Sequence, residues 1–268
     1  MSEQVKITIL GCGPSSGVPR IGGDWGKCDA SEPRNRRRRA SILIEQNSRR
    51  ILVDTGPDLR QQLLDANIGT VDAIIWTHAH GDHVNGIDDV RQLNRNGNAE
   101  ITAYGHAQTL EIMRRGFPHV FQPISTMKID PHTGRKNYVK PSLIAHELQD
   151  QQEICGIKLQ AFPQDHGFGV ISMGLRVGDF AYSTDVKNLS EAAFAALKGV
   201  KIWIVDGFSE QIHPTHASLD QCLEWIARLA PEQAYLTHMD IGMDYQTLCN
   251  KLPAHIRPAY DGLVICLP

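Results

Sequence analysis

The chain has little that would mark it for a specialised environment. Its six cysteines (Cys12, Cys28, Cys155, Cys222, Cys249 and Cys266) are scattered without a CxxC pair. That spacing excludes a disulfide framework and a zinc ribbon. No apolar run is long enough to span a bilayer, and the first residues lack a basic-then-apolar signal segment. No membrane partner is therefore expected, and the expected location is cytoplasmic. Aromatic residues make up only 6% and the net charge is -3, so neither a stacking surface nor a positive field favours a nucleic-acid partner, although neither forbids one. At 268 residues, the chain has enough apolar content (41%) for one large core or two small ones.

What is present is a succession of short β-rich runs: VKITIL, SILIEQ, RRILVDTG, VDAIIWTH, AEITAYG, IKLQAFPQDH, GVISMGLRV, DFAYSTD, VKIWIVDG, QAYLTH and LVICLP. Helical spacing appears at Pro57 to Ala66, Ala107 to Arg115, Ser190 to Leu197 and Ser218 to Leu229. Ser218 followed by Gln221 has the form of a capping box. Hairpin-like strands followed by strands alternating with helices read as an α/β sandwich, with one domain across residues 1–268. The stretch from Arg115 to Pro141 is a basic, Pro-punctuated insertion, either a surface excursion or a substrate-facing flap. A second basic cluster, Arg36-Arg37-Arg38-Arg39, leads into a strand. Arg38 and Arg39 there can hold a substrate phosphate or tie loops to carboxylates.

The twelve histidines are more informative than their number. AIIW ends in Thr77-His78-Ala79-His80-Gly81-Asp82-His83; later strand-like runs end in Asp165-His166, Asp185, Asp206 and His238, and ILV ends in Asp54. In α/β sheets the carboxyl ends of strands carry the chemistry. Gathering so many imidazoles and carboxylates on one rim would be costly without a counter-ion, which metal ions supply. An extended backbone puts His78 and His80 on one side, and Gly81 permits a bend that frees Asp82 and His83 for a neighbouring ion. Nitrogen and oxygen donors suit zinc, manganese or iron rather than a soft thiolate site.

THAHGDH resembles the HxHxDH signature of the metallo-β-lactamase superfamily, and His166, Asp185 and His238 match its remaining ligands in order over nearly the whole chain. The resemblance implies a four-layer αββα sandwich with two divalent ions per chain, zinc or manganese being expected. His78, His80 and His166 would hold one ion, Asp82, His83 and His238 the other, and Asp185 would bridge. Asp54 is similar to an aspartate that orients the motif from behind; Asp206 serves likewise or caps its loop. LGCGPSSGVPR, NRRRRAS and HPTHASLD resemble the PhnP group of cyclic phosphodiesterases, which makes His216 the expected general acid, with His213 competing and a plain helix-capping role as the alternative.

Two departures stand out. PhnP proteins hold a structural zinc with clustered cysteines and a later histidine; here Cys28 stands alone and Ile241 fills the histidine position, so no structural zinc is expected. The expected reaction is hydrolysis of a small phosphodiester, a cyclic ribose or nucleotide phosphate, by a metal-activated hydroxide, with Asp82 taking part beside His216. An RNase Z-like nuclease, a glyoxalase II-like thioesterase and a non-catalytic nucleotide or metal binder are the alternatives. A homodimer is compatible with everything above.

Overall fold

The computed structural model describes residues 4–123 and 128–267; the part of the basic insertion at 124–127 lies outside the described residues. The β-rich runs become β1 (Lys6–Gly11), β2 (Ser41–Gln46), β3 (Arg49–Val53), β4 (Ala73–Trp76), β5 (Ile101–Gly105) and β6 (Leu143–Glu147). They continue as β7 (Gln151–Ile154), β8 (Ile157–Asp165), β9 (Ile171–Val177), β10 (Phe180–Ser183), β11 (Ile202–Asp206), β12 (Gln233–Thr237), β13 (Ile256–Pro258) and β14 (Val264–Cys266). Two seven-stranded sheets result, ordered β14-β1-β2-β3-β4-β5-β6 and β13-β12-β11-β10-β9-β8-β7.

Strand alternation explains the layers. In β2 and β3, Ile42, Ile44, Ile51 and Val53 enter the core between the sheets, while Leu43 and Leu52 join a second cluster with Leu59, Leu63, Val90, Leu93, Leu110 and Met113. Successive side chains point to opposite faces, so a strand apolar at every position is one covered on both sides. The second cluster sits under helices Leu59–Asp65, Val90–Gly97 and Ala107–Gly116. On the far side, Phe194, Leu197, Cys222, Trp225 and Ile226 of helices Glu191–Leu197 and Leu219–Leu229 pack against the second sheet. The arrangement is the expected αββα sandwich.

Both sheets repeat one pairing plan, antiparallel strands followed by parallel ones. β3–β4, β4–β5 and β5–β6 are parallel in the first, β10–β11, β11–β12 and β12–β13 in the second. β8 and β10 are each antiparallel to β9 and so run in one direction. The carboxyl ends of β8, β10, β11 and β12 therefore share one rim of the second sheet.

The helix at 218 starts as expected, with Ser218 Oγ accepting from Gln221 N at 3.3 Å. Only half of the capping box forms, because the Gln221 amide donates instead to Lys187 O at 3.0 Å. The basic insertion is fastened to the helix Val90–Gly97: Arg135 donates to Arg95 O and Asn96 O at 2.6 and 2.8 Å, and Tyr138 is buried.

Candidate metal centre

Each candidate donor leaves a strand end. β4 delivers Thr77, His78 and His80 before a single turn, Gly81–Val84, that carries Asp82 and His83; β8 delivers His166, β10 Asp185 and β12 His238. Asp54, Asp185 and His238 have φ of 68°, 51° and 57°. Left-handed backbone at a non-glycine residue costs about 1–3 kcal/mol and persists where surrounding structure imposes it. Here it turns each chain sharply off its strand.

The donors form two sets that meet at one carboxylate. His78 Nε2 and His166 Nε2 lie 3.7 and 3.5 Å from Asp185 Oδ2, and His80 Nδ1 lies 3.1 Å from His166 Nε2. On the other side, His83 Nε2 and His238 Nε2 lie 3.1 and 3.4 Å from Asp185 Oδ1, and each lies 3.4 Å from Asp82 Oδ2. An ion with bonds of about 2.05 Å has donors about 3.3 Å apart in a tetrahedron. His78, His80, His166 and Asp185 make one group able to hold a metal ion, and Asp82, His83, Asp185 and His238 another. The buried Nε2 atoms of His78 and His83 have no hydrogen-bond partner among the described residues, as ring nitrogens reserved for an ion would not.

The second ring nitrogens are held from behind. Asp54, fully buried, accepts from His83 Nδ1 at 2.7 Å and from Thr77 N at 2.8 Å. His166 Nδ1 donates to Thr215 O at 2.8 Å. Such bonds settle the tautomer and turn Nε2 toward the ion. Asp54 thus stands behind the rim, against the ring of His83. Thr215 was not anticipated, since a main-chain carbonyl leaves no mark in sequence.

Electrostatics favour a cation in this place. Burial lowers the proton affinity of His78, His80 and His166 below the usual imidazole value, leaving neutral donors. Burial opposes ionisation of Asp185, but His238, His83 and His78 outweigh it and hold the carboxyl well below the usual range. Burial also opposes charge on His83, yet Asp185, Asp54 and Asp82 raise it well above the usual value. Asp185, Asp54 and Asp82 thus stabilise positive charge at His83, and divalent ions would meet the same demand.

Beside the two groups stands a dyad. His216 Nδ1 pairs with Asp206 Oδ2 at 2.8 Å, and its ring lies nearly parallel to Phe208 at 4.5 Å and to His238 at 4.7 Å, the three rings forming one cluster. Burial disfavours the imidazolium, but Asp206 with Asp185 and Asp82 raises it to about 9. Asp206 Oδ2 also accepts from Val186 N at 3.0 Å, so it secures the loop and His216 together rather than a donor of either group. The helix-capping alternative for His216 fails, because Ser218 performs that task. His213 Nδ1 instead contacts Thr215 Oγ1 at 3.1 Å, and among the described residues no carboxylate holds its ring.

The phosphate role read for Arg38 needs correction. Its run is extended, so Arg36 and Arg38 point one way and line a cavity of about 460 Å³ that none of the donors lines. Arg38 there pairs with Asp65. Arg39 points the other way and meets Asp58 at 3.2 Å, its Cβ close to the Gly56 turn that touches Asp82. Tying loops to carboxylates describes both residues. The surroundings of Cys28 do not suit a further metal: its Sγ faces Arg37 Nη1 at 3.9 Å and Asp240 O at 4.0 Å, and a guanidinium repels a cation.

The fold and donor set are those of a metal-dependent superfamily of hydrolases, and residues 49–239 match the model of the Beta-lactamase superfamily domain; the chain belongs to that superfamily. Within it the chain falls in the PhnP family. A crystal structure of a diphosphatase from that family superposes with a TM-score of 0.88 at 32% identity, covering 100% of this chain and 98% of the other. An octanoyltransferase of Porphyromonas gingivalis is 29% identical over 264 residues, covering 97% of this chain and 51% of that protein. A ribonuclease Z of Bradyrhizobium diazoefficiens is 37% identical over 90 residues, covering 32% of this chain and 30% of the relative. The chain thus spans about half, or less, of the length of the curated relatives it matches. No helix among the described residues is long and apolar enough to cross a membrane.

Proposed function

We propose that the chain is a binuclear metal-dependent hydrolase of small phosphoric diesters, nucleotide-like or cyclic, with zinc or manganese as the ions. The observation that carries this reading is Asp185, whose two oxygens face separate imidazole sets. Likeness to a PhnP-family diphosphatase supports phosphate-ester chemistry. When bound, two ions supply the positive charge that clamps phosphoryl oxygens and acidifies water. The protein's own part is orientation and proton delivery. Asp54 and Thr215 O keep His83 and His166 turned inward, and Asp82 completes the second group. Asp206 holds His216 by Nδ1, leaving Nε2 as the atom that gives a proton to the departing alkoxide. General-acid help of this kind contributes about 10²–10⁴-fold.

The test is metal analysis of the purified chain with a panel of linear and cyclic phosphodiesters, diphosphates and thioesters. Two equivalents of metal with selective diester turnover support the reading. Turnover confined to thioesters, or none in fully loaded protein, overturns it. His216→Ala is expected to lower turnover about 10²–10⁴-fold on substrates with poor leaving groups, with metal content unchanged. Full activity of that variant would remove His216 from the reaction.

A further inference from the structure

Arg37 is the largest charged side chain in the interior, 2% exposed. It arrives there because residues 36–39 are extended: Arg37 pairs with Val18 in a short antiparallel bridge, with N–H···O bonds of 2.9 Å in both directions. That bridge sends its side chain inward while Arg36 lies outside over the Trp25 ring. No carboxylate forms an ion pair with Arg37 among the described residues. Its guanidinium donates instead to main-chain carbonyls, Met243 O at 2.5 Å and Asp240 O at 3.2 Å, and to Asn35 Oδ1 at 3.1 Å. A buried charge satisfied by carbonyls is costly to keep, so the contact has to be read for what it holds.

It holds the segment that follows His238. There the backbone has just entered the left-handed region at φ 57°. Met239 N reaches Cys12 O at 3.0 Å and Asp240 N reaches Phe208 O at 2.9 Å. Arg37 draws in the carbonyls of Asp240 and Met243, the first of which also faces Cys28 Sγ at 4.0 Å, and Asn35 Oδ1 links it to Tyr245 N at 2.8 Å. His238 Nδ1, buried, has no partner among the described residues. Unlike His83 and His166, this ring has no hydrogen bond from behind to aim it; the stacked His216 ring flanks it at 4.7 Å, and its backbone sets where it stands.

We propose that Arg37 is a positioning residue for the second metal group: by clamping the 239–243 turn it aims His238 at Asp82 and Asp185. The inference rests on the two-ion reading of the site. Lysine cannot replace it, because one ammonium cannot serve carbonyls and an amide oxygen in a planar fork.

The experiment is titration of the full chain with Zn²⁺ against a competing chelator, together with the visible spectrum of the Co²⁺-loaded protein, for wild type, Arg37→Lys, Asn35→Ala and Arg36→Gln. Arg37→Lys is expected to weaken one equivalent about 10–100-fold, to change the cobalt spectrum of that equivalent, and to leave the other intact. Asn35→Ala, which removes the oxygen orienting the guanidinium, is expected to do the same more weakly, and it decides the question if Arg37→Lys does not fold. Arg36→Gln, on the opposite face, is expected to match wild type. Two equivalents of wild-type affinity and spectrum in Arg37→Lys, whatever its melting temperature, would make Arg37 a packing residue and overturn the inference. A wild type binding fewer than two ions would overturn the reading of the site and this inference with it.

Discussion

Single residues in this site act through the ring nitrogen that faces away from the donor groups. Asp54 accepts from His83 Nδ1 and from Thr77 while fully buried. Asp54→Asn keeps the volume but sets an amide against a ring that must keep its proton on Nδ1. Competition titration is expected to show the second metal equivalent weakened about 10–100-fold; unchanged affinity would mean that His83 is aimed by packing alone. The motif run made His83 recognisable in sequence. Its partnership with Asp54, 29 residues earlier, is a product of β3 and β4 pairing in parallel.

At the scale of elements, the turns between strands and helices carry the strongest local constraints. A Cβ on Gly56 would lie 2.2 Å from Asp82 O, so Gly56→Ala must push apart the turn after β3 and the turn bearing Asp82. A loss of about 1–3 kcal/mol in urea unfolding is expected, with weaker metal binding. Binding at wild-type strength would show that the two turns move independently. Asp244 caps the helix Tyr245–Lys251, accepting from Thr247 N at 2.8 Å and from Asn35 Nδ2 at 2.7 Å. Although burial opposes ionisation, these bonds lower its carboxyl to about 2. A folded-state value below the unfolded one means stability that is fully present above about pH 4 and lost as pH falls through about 2. The stability gap between wild type and Asp244→Ala, about 1 kcal/mol near neutrality, should narrow below about pH 4. A gap constant down to pH 3 would assign the capping energy to neutral hydrogen bonds.

For the molecule as a whole, the metal groups join the two sheets. His78, His80, Asp82 and His83 follow β4 of the first, and His166, Asp185 and His238 follow strands of the second. Bound ions would therefore hold the sandwich closed at one rim. Removal by chelator should lower the melting temperature, and ligand at a thousand times its dissociation constant contributes about 4 kcal/mol. Scanning calorimetry of loaded and stripped protein checks this; coincident transitions would show that the ions add nothing to the packed core.

The chain's own pattern pointed to an α/β sandwich and to a His and Asp cluster at strand ends, while the four-layer form and the division of donors came from the family resemblance. Doubly apolar β2, β3 and β4 demand cover on both faces, and THAHGDH with its later strand ends is dense enough to stand out from ordinary histidines. Short, mostly polar elements were not legible: β6, LIAHE, lacks an apolar alternation, and the helix Val90–Gly97 offers only Val90 and Leu93 as apolar residues on its buried face. Tertiary structure alone decided which Asp185 oxygen faces which imidazoles, that Asp206 holds His216 as well as its own loop, and that Arg37 turns inward while Arg38 does not. The physical reason is common to all three. Residue types and their spacing are local, whereas a side chain's partner is set by which strand ends the two sheets bring to one rim.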